Sequence, residues 1–131
     1  MEKRGVIWLA ILIGVFGASV YAAKPEKTQG IQDMPLELHA LGAQIPAMAG
    51  YQLRTRRVSI AAGGTIAEHS HADRPGVVYV LEGSIREHQG DVVRVLNPGD
   101  TFSEKLETVH WLENVTDKPC VLLAVDLVAR K

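Results

Sequence analysis

The chain contains little cysteine, few aromatic residues and almost no net charge. Its single cysteine, Cys120, cannot form an intrachain disulfide, so burial alone has to stabilise the fold. A formal net charge of −1, without a long run of Lys and Arg, provides no field that would attract nucleic acid or an anionic membrane. Aromatic residues make up 5% of the chain, too few for a surface that stacks on bases. We therefore expect no nucleic-acid partner.

The first 22 residues have the pattern of an export signal. Lys3 and Arg4 precede an apolar run over 6–16, and Val-Tyr-Ala at 20–22 forms a small-residue cleavage site. The apolar run is too short to span a bilayer comfortably. We expect residues 1–22 to be a signal peptide, and the mature protein to be periplasmic or secreted with no membrane partner. The alternative is an uncleaved N-terminal membrane anchor.

The remaining residues are long enough for one hydrophobic core. Residues 23–50 hold three prolines and three glycines, which interrupt any long helix, so we expect an N-terminal arm with one or two short strands. Strand-like segments follow at 51–60, 77–85, 91–96, 108–112 and 121–128. Turn signals at Gly63-Gly64 and at 97–100 separate them. Because no helical segments intervene, residues 51–131 are expected to form one all-β sandwich or barrel.

The strongest chemical signal is His69-Ser70-His71. Side chains at i and i+2 of a strand point to the same face, about 7 Å apart along the chain, which is a distance that a metal can bridge. His110 lies on a later segment and supplies a third imidazole. Three neutral nitrogens suit a divalent transition metal such as Fe, Mn, Ni, Cu or Zn. The pattern therefore predicts a metal site at His69, His71 and His110.

The spacing of glycines and histidines over 51–128 resembles the two sequence motifs of the cupin superfamily. The first motif reads Gly63-x5-His69-x-His71-x11-Gly83, and the second reads Gly99-x10-His110-x3-Asn114. The segment His-Ser-His-x-x-Arg-Pro at 69–75 is similar to that of a subgroup of small bacterial cupins. The resemblance implies an antiparallel jelly-roll β-barrel with a metal inside it, bound by the two motif-one histidines, a glutamate and the motif-two histidine. It also implies a homodimer, for which the N-terminal arm is long enough to reach a neighbour.

The sequence departs from the family's pattern in both motifs. Gly76 stands where the first motif usually has its glutamate, separated from Gly83 by six residues. Lys105 and Glu107 replace the Pro-x-Gly turn of the second motif. Glu104 is the candidate for a replacement fourth ligand. The alternatives are a hydrogen-bonding glutamate at the barrel mouth, or a three-histidine site completed by water or substrate.

Residues beside the predicted ligands suggest what the site attracts. Three neutral imidazoles leave the charge of a metal uncompensated, so an anionic ligand such as a carboxylate or an enolate is expected. Arg74, three residues after His71, is suited to a two-point contact with a carboxylate; the alternative is a surface or salt-bridging arginine. Glu113 and Asn114 are expected to orient groups around His110.

Other conspicuous residues are expected to have structural roles. Tyr79 and Trp111 are predicted to contribute to packing. His39 and His88 have no partner at ligand spacing and are expected to be exposed. Cys120 precedes an apolar segment and is expected to be a small buried hydrophobe rather than a nucleophile.

Three functional hypotheses remain. In the first, the protein is an enzyme whose metal catalyses an oxygenase-like or isomerase-like reaction on a small oxygenated anionic compound. In the second, the barrel is a non-catalytic binding module of the envelope for a small sugar or acid, with a structural metal or none. In the third, the histidines only fill the barrel and the protein has a structural role.

Overall fold

The computed structural model describes residues 22–130, which form eight β-strands and one 3-10 turn at Pro46–Met48. The strands are β1 (Gln29–Ala40), β2 (Tyr51–Ser70), β3 (Gly76–Glu82), β4 (Ile85–Gln89), β5 (Val92–Leu96), β6 (Thr101–Glu104), β7 (Val109–Glu113) and β8 (Cys120–Ala129). Within these residues, no helix is long and apolar enough to cross a membrane. The predicted signal peptide at 1–22 lies outside the described residues except for Ala22.

The strands form one antiparallel sheet that curls into a nearly closed barrel. Hydrogen bonds join them in the order β5-β4-β7-β2-β8-β3-β6, and β1 pairs with β2 beside this path. Strands that are distant in sequence therefore become neighbours, as β2 does with β7 and β8. This topology confirms the predicted all-β jelly-roll barrel.

Strand β2 is longer than the sequence suggested, because the chain does not turn at Gly63-Gly64. Its first half, up to Ile60, pairs with β8, and its second half, from Thr65, pairs with β7. The backbone bends between the two halves. Gly63 has a φ of 71° there, a conformation that residues with a Cβ atom rarely adopt. The predicted turn is thus a corner at which one strand changes partner. This corner directs the end of β2 toward β7.

Alternation along the strands separates the barrel interior from its surface. In β3, Val78 and Val80 are buried, whereas Val77 and Tyr79 are exposed. The core also contains Ile60, Ile85, Phe102, Leu112, Leu122 and Ala124. Each fully buried aliphatic side chain of this kind contributes about 1.5–3 kcal/mol by leaving water. The expectation that Tyr79 packs in the core is therefore wrong, because its position in β3 places it on the outer face.

Cys120 is buried, as expected. It has no exposed surface, and burial raises the pKa of its thiol to about 11. A thiol with this pKa stays protonated at neutral pH and is a poor nucleophile. The prediction of a small buried hydrophobe is confirmed.

The N-terminal arm predicted at 23–50 contains one long strand rather than one or two short ones. Strand β1 pairs with β2 over most of its length, with register shifts next to Gly30 and between Pro35 and Glu37. Pro35 is tolerated because β1 lies at the edge of the sheet, where a residue without a backbone N–H need not break a hydrogen bond between strands. Ile31 packs against the core. Strand β1 is thus part of the barrel wall.

Candidate metal centre

Three imidazoles converge inside the barrel at the junction of β2 and β7. His69 and His110 are paired across the two strands, and His71 follows the end of β2. The Nε2 atom of His110 lies 3.1 Å from Nε2 of His71 and 3.2 Å from Nε2 of His69. His71 and His110 are buried and His69 is half-buried. The structure brings together the three histidines that the sequence singled out, although they come from two distant segments.

The other nitrogen of each ring is held by a hydrogen-bond acceptor. Nδ1 of His69 lies 2.9 Å from the Ala67 carbonyl oxygen, and Nδ1 of His71 lies 3.2 Å from the Arg74 carbonyl oxygen. Nδ1 of His110 lies 2.8 Å from a carboxylate oxygen of Glu87. Each of these acceptors is matched by a proton on Nδ1, and a ring that is neutral with this proton has an unprotonated Nε2. In this tautomer the three Nε2 lone pairs face one another.

Burial keeps two of these imidazoles in the neutral form. Desolvation lowers the pKa of His71 to about 4, and the neighbouring charges of Arg74 and His110 act in the same direction. Desolvation also lowers the pKa of His69. Neutral imidazole is the form that binds a metal, so the ligands are available at neutral pH without losing a proton first.

Glu87 supports His110, and sequence reasoning missed it. It lies in β4 with an exposed fraction of 1%, and it also accepts hydrogen bonds from the Arg94 guanidinium. Burial alone would raise its pKa, but the hydrogen bonds from His110 and Arg94 outweigh this effect and lower the pKa. A carboxylate on the outer nitrogen of a ligand histidine is a common support in metal sites. The available signal was that Glu87 shares a strand face with the apolar Ile85.

Glu104 lies next to Gly76, the position at which the motif lacks its glutamate. The two residues are paired across β3 and β6, and a Cβ at Gly76 would lie 3.0 Å from Glu104 Oε2. Glu104 Oε2 is 3.4 Å from His71 Nδ1, and Oε1 is 3.9 Å from His110 Nε2. The glycine thus leaves space for a carboxylate that comes from the neighbouring strand. Whether this carboxylate binds a metal remains a prediction.

The Glu104 carboxylate is incompletely satisfied. Its Oε2 atom is buried and has no hydrogen-bond partner among residues 22–130. Desolvation raises the pKa of this carboxyl group, although the neighbouring His110 and Arg74 act against the shift. An unsatisfied buried carboxylate oxygen is costly unless a cation or donor compensates it. The three imidazoles form the cluster that could hold a metal ion, and the Glu104 carboxylate lies beside it.

Comparison with known protein families identifies the fold. The cupin domain family model matches residues 56–126, which is more than half of the chain. The chain belongs to the cupin family. No curated protein matches this cupin.

Solved structures share the cupin fold at low sequence identity. KdgF from Halomonas sp. has a TM-score of 0.60 at 22% identity, over 78% of this chain and 81% of that one. TT1209 from Thermus thermophilus also has a TM-score of 0.60 at 22% identity, over 84% of this chain and 91% of that one. A cupin superfamily protein from Desulfitobacterium hafniense has a TM-score of 0.59 at 15% identity, covering 81% and 84%. Each likeness concerns the fold alone.

A cavity of about 170 Å³ opens inside the cupin barrel beside the histidines. His69 and Glu104 contribute to its lining, and apolar side chains such as Val78, Phe102 and Leu112 form most of its wall. Typical sites for drug-sized ligands measure about 300–1,000 Å³, so this cavity suits a much smaller molecule.

Glu113 and Asn114 orient neighbouring groups, as expected, but the expected support for His110 is wrong. Glu113 hydrogen-bonds Arg86 and His88, and Asn114 hydrogen-bonds backbone carbonyls of the loop that follows β7 and of β2, so neither orients His110. Side chains alternate between the two faces of β7, so Glu113, three residues after His110, points to the opposite face. Asn114 instead fixes the β2 corner.

The two remaining histidines differ from each other. His39 is exposed, as expected. His88 is buried rather than exposed, because its ring stacks on Trp111 at 3.6 Å between centroids. Trp111 is buried and has the packing role predicted for it.

Proposed function

We propose that this cupin binds a divalent transition metal through Nε2 of His69, His71 and His110. The observation that carries the proposal is the convergence of the three Nε2 atoms, with those of His71 and His69 at 3.1 and 3.2 Å from that of His110. Without a cation or a proton between them, the lone pairs would repel one another in a buried site. Their Nδ1 partners fix both tautomer and ring orientation, which is how proteins prepare histidine ligands.

Glu104 is the proposed fourth ligand. Its Oε2 lacks a hydrogen-bond partner among the described residues, and Oε1 lies on the side of His110 Nε2. A carboxylate would offset part of the charge that three neutral imidazoles leave on a divalent ion. Mixed imidazole and carboxylate donors suit Fe, Mn, Ni, Cu or Zn and do not select among them.

The function supported best is a metal-dependent reaction, oxygenase-like or isomerase-like, on a small oxygenated anionic compound. A bound metal would act as a Lewis acid toward an oxygen of this compound. The protein itself would exclude water with the apolar cavity wall and hold the imidazoles in their ligating tautomer. A binding module for a small sugar or acid is the second candidate, since the same cavity could bind such a molecule without a reaction.

The decisive experiment measures metal content by mass spectrometry in protein purified without a histidine tag. We expect about one equivalent in the wild type, as three converging ligands imply. His69→Ala should lose it while its circular dichroism spectrum remains that of a β-protein. His39→Ala is the matched control, because His39 is exposed and distant from the site. A folded wild type that binds no added Fe²⁺, Mn²⁺, Ni²⁺, Cu²⁺ or Zn²⁺ would contradict the proposal and favour a structural role.

Oxygen consumption and product analysis with small hydroxy and keto acids separate the two candidate functions. Turnover that depends on the metal supports the enzyme. Saturable binding without turnover under the same conditions supports the binding module.

Export and dimerisation are two further parts of the proposal. N-terminal sequencing of the mature protein should begin near Ala23, and a start at Met1 in a membrane fraction would favour an anchor. The exposed apolar side chains Met34, Leu36 and Leu38 on β1 support pairing with a second copy. Light scattering should show a dimer for the wild type and a smaller mass for Leu36→Asp. An unchanged mass would exclude β1 as the contact.

A further inference from the structure

Three arginines surround one buried aspartate next to the cavity. Asp126 in β8 has an exposed fraction of 1% and lies beside Arg54, Arg56 and Arg74. Burial would raise its pKa, but the hydrogen bond and the charges of Arg54 and Arg56 lower it. Asp126 is therefore an ionised carboxylate at neutral pH.

Arg54 makes the two short hydrogen bonds to Asp126, and Arg56 adds a longer one. Nε of Arg54 donates to Oδ1 at 2.9 Å and its second nitrogen donates to Oδ2 at 2.6 Å, which is a two-point contact. Arg56 is 3.4 Å from Oδ2 and hydrogen-bonds Asp33 at 2.6 Å. The remaining arginine is thus not required to pair with Asp126.

Arg74 and Arg56 keep unused donors that face the cavity. The closest approach of the Arg74 guanidinium to Asp126 is 3.8 Å, and it makes no hydrogen bond among residues 22–130. Nε of Arg56 is buried and also lacks a partner within that range. Both residues line the cavity together with His69 and Glu104. A buried donor without an acceptor is unfavourable, so Arg56 Nε indicates a missing acceptor, and the partly exposed Arg74 guanidinium is available to bind the same group.

The chemistry of the donor indicates that this acceptor is an anion. Arg54 and Arg56 hydrogen-bond the carboxylates of Asp126 and Asp33, whereas the Arg74 guanidinium hydrogen-bonds no carboxylate of the described residues. A guanidinium is permanently charged and pairs best with an anionic oxygen. Glu104 also lines the cavity, but its carboxylate oxygens lie 3.4 Å from His71 Nδ1 and 3.9 Å from His110 Nε2.

The backbone joins this arginine to the histidines. The Arg74 N–H donates to the His71 carbonyl at 3.1 Å, and the Arg74 carbonyl accepts from His71 Nδ1 at 3.2 Å. The same short loop therefore fixes a ligand imidazole and places a guanidinium over the cavity. A molecule in the cavity would contact both.

We propose that the cavity binds a small organic acid whose carboxylate is held by Arg74 and Arg56 and whose second oxygen group faces the histidines. The metal contact of that second group rests on the proposed function, whereas the carboxylate contact stands on the two arginines alone. The planar guanidinium of Arg74 matches two carboxylate oxygens. A cavity of about 170 Å³ with apolar walls restricts the acid to a short chain.

The test is calorimetric titration of the Zn²⁺-loaded full-length mature protein with lactate and with lactamide, its neutral isostere. We expect lactate to bind at least about 10-fold more tightly than lactamide, because only the anion engages the guanidinium. Arg74→Gln should weaken lactate binding roughly 10- to 100-fold without changing lactamide binding or zinc content. Arg74→Lys keeps the positive charge but lacks the paired donors of a guanidinium, so its affinity for lactate should lie between those of the wild type and Arg74→Gln.

Arg57→Gln is the matched control, because Arg57 neighbours Arg56 in the chain but hydrogen-bonds Ser59 instead of lining the cavity. It should bind lactate like the wild type. Equal affinity for lactate and lactamide, or wild-type affinity in a folded Arg74→Gln, would overturn the inference. So would the absence of lactate binding at millimolar concentrations.

Failure of the metal site is distinguished by repeating the titration on metal-free protein with propionate and propanamide. If the wild type holds no zinc but prefers propionate, and Arg74→Gln removes this preference, the carboxylate site stands while the metal proposal fails. If the protein holds zinc and binds neither lactate nor propionate more tightly than the corresponding amide, the metal proposal stands and the carboxylate site is wrong.

Discussion

Two groups of the same composition lie on opposite faces of the sheet formed by β5, β4 and β7. Each contains a histidine, a glutamate that hydrogen-bonds it, and an arginine that pairs with the glutamate. The inner triad consists of His110, Glu87 and Arg94, and the outer triad consists of His88, Glu113 and Arg86.

The triads differ in which imidazole nitrogen meets the carboxylate. In the inner triad Nδ1 of His110 is bound to Glu87 at 2.8 Å, so Nε2 remains free and faces His69 and His71. In the outer triad Nε2 of His88 is the nitrogen bound, at 2.9 Å.

The surroundings of the two rings differ as well. The His88 ring stacks on Trp111 with an interplanar angle of 7°, which is a packing contact. The His110 ring has two other imidazoles as neighbours. Equal composition therefore gives a prepared ligand on one face and a packed side chain on the other, and the difference lies in which nitrogen the carboxylate binds and in what surrounds the ring.

The largest contrast is expected between His110→Ala and His88→Ala. His110→Ala should abolish stoichiometric metal binding, because it removes one of three converging ligands. His88→Ala should keep the metal and lower the free energy of unfolding by about 1–2 kcal/mol, through loss of the Trp111 stack and the Glu113 hydrogen bond. Metal analysis and urea unfolding of both variants check this. Metal loss in both would mean that the two faces are coupled.

The next contrast concerns carboxylates, because Glu113 has two partners whereas Glu104 Oε2 has none among the described residues. Glu104→Gln should weaken metal affinity about 100-fold or more, as expected for removing one partner of a buried charge pair. The same change should leave the metal-free protein equally or more stable, because it removes an uncompensated buried charge. Chelator competition and thermal unfolding measure the two effects. Unchanged metal affinity would exclude Glu104 as a ligand.

Glu87→Gln and Glu113→Gln compare the two supporting carboxylates directly. Glu87→Gln is expected to weaken metal affinity about 10- to 100-fold, since the amide no longer holds His110 as firmly in its ligating orientation. Glu113→Gln should leave metal affinity unchanged, because its histidine faces away from the site. Competition with a fluorescent chelator is the measurement. Equal losses in both variants would argue that they act through general stability.

The smallest contrast is between Arg94→Gln and Arg86→Gln. The Arg94 side chain is 45% exposed, so solvent screens its effect on Glu87. We expect less than about a 10-fold loss of metal affinity for Arg94→Gln, decreasing further at high salt, and none for Arg86→Gln. Titrations at low and high ionic strength test this. A larger loss that salt does not change would indicate a direct structural role for Arg94.

The sequence predicted the barrel and the histidine ligand candidates for identifiable reasons. The period of two in a strand places His69 and His71 on one side, His110 on a later segment supplied a third imidazole, and the cupin motifs contain the same three residues. The position of Gly63-Gly64 was misread as a turn, because a corner that changes strand partner has the same local signal as a turn.

The supporting residues were harder to predict because they depend on register between strands. Glu87 and His88 are neighbours in the chain, and only their pairing with Leu112 and Trp111 shows which one meets His110. The same limit applies to Arg74, for which the sequence left open a ligand contact or a salt bridge. Its 3.8 Å separation from Asp126 depends on where β8 lies.

The sequence by itself determined the all-β fold class, the buried cysteine and the candidate histidines, since these follow from local alternation and from motif spacing. Tertiary structure decided which nitrogen of each imidazole is free, which carboxylate occupies the space beside Gly76, and which arginine has an unused donor. These properties depend on contacts between β2, β4, β6 and β7, which lie far apart in the chain. A pattern along one strand contains no information about the atoms that another strand brings to it.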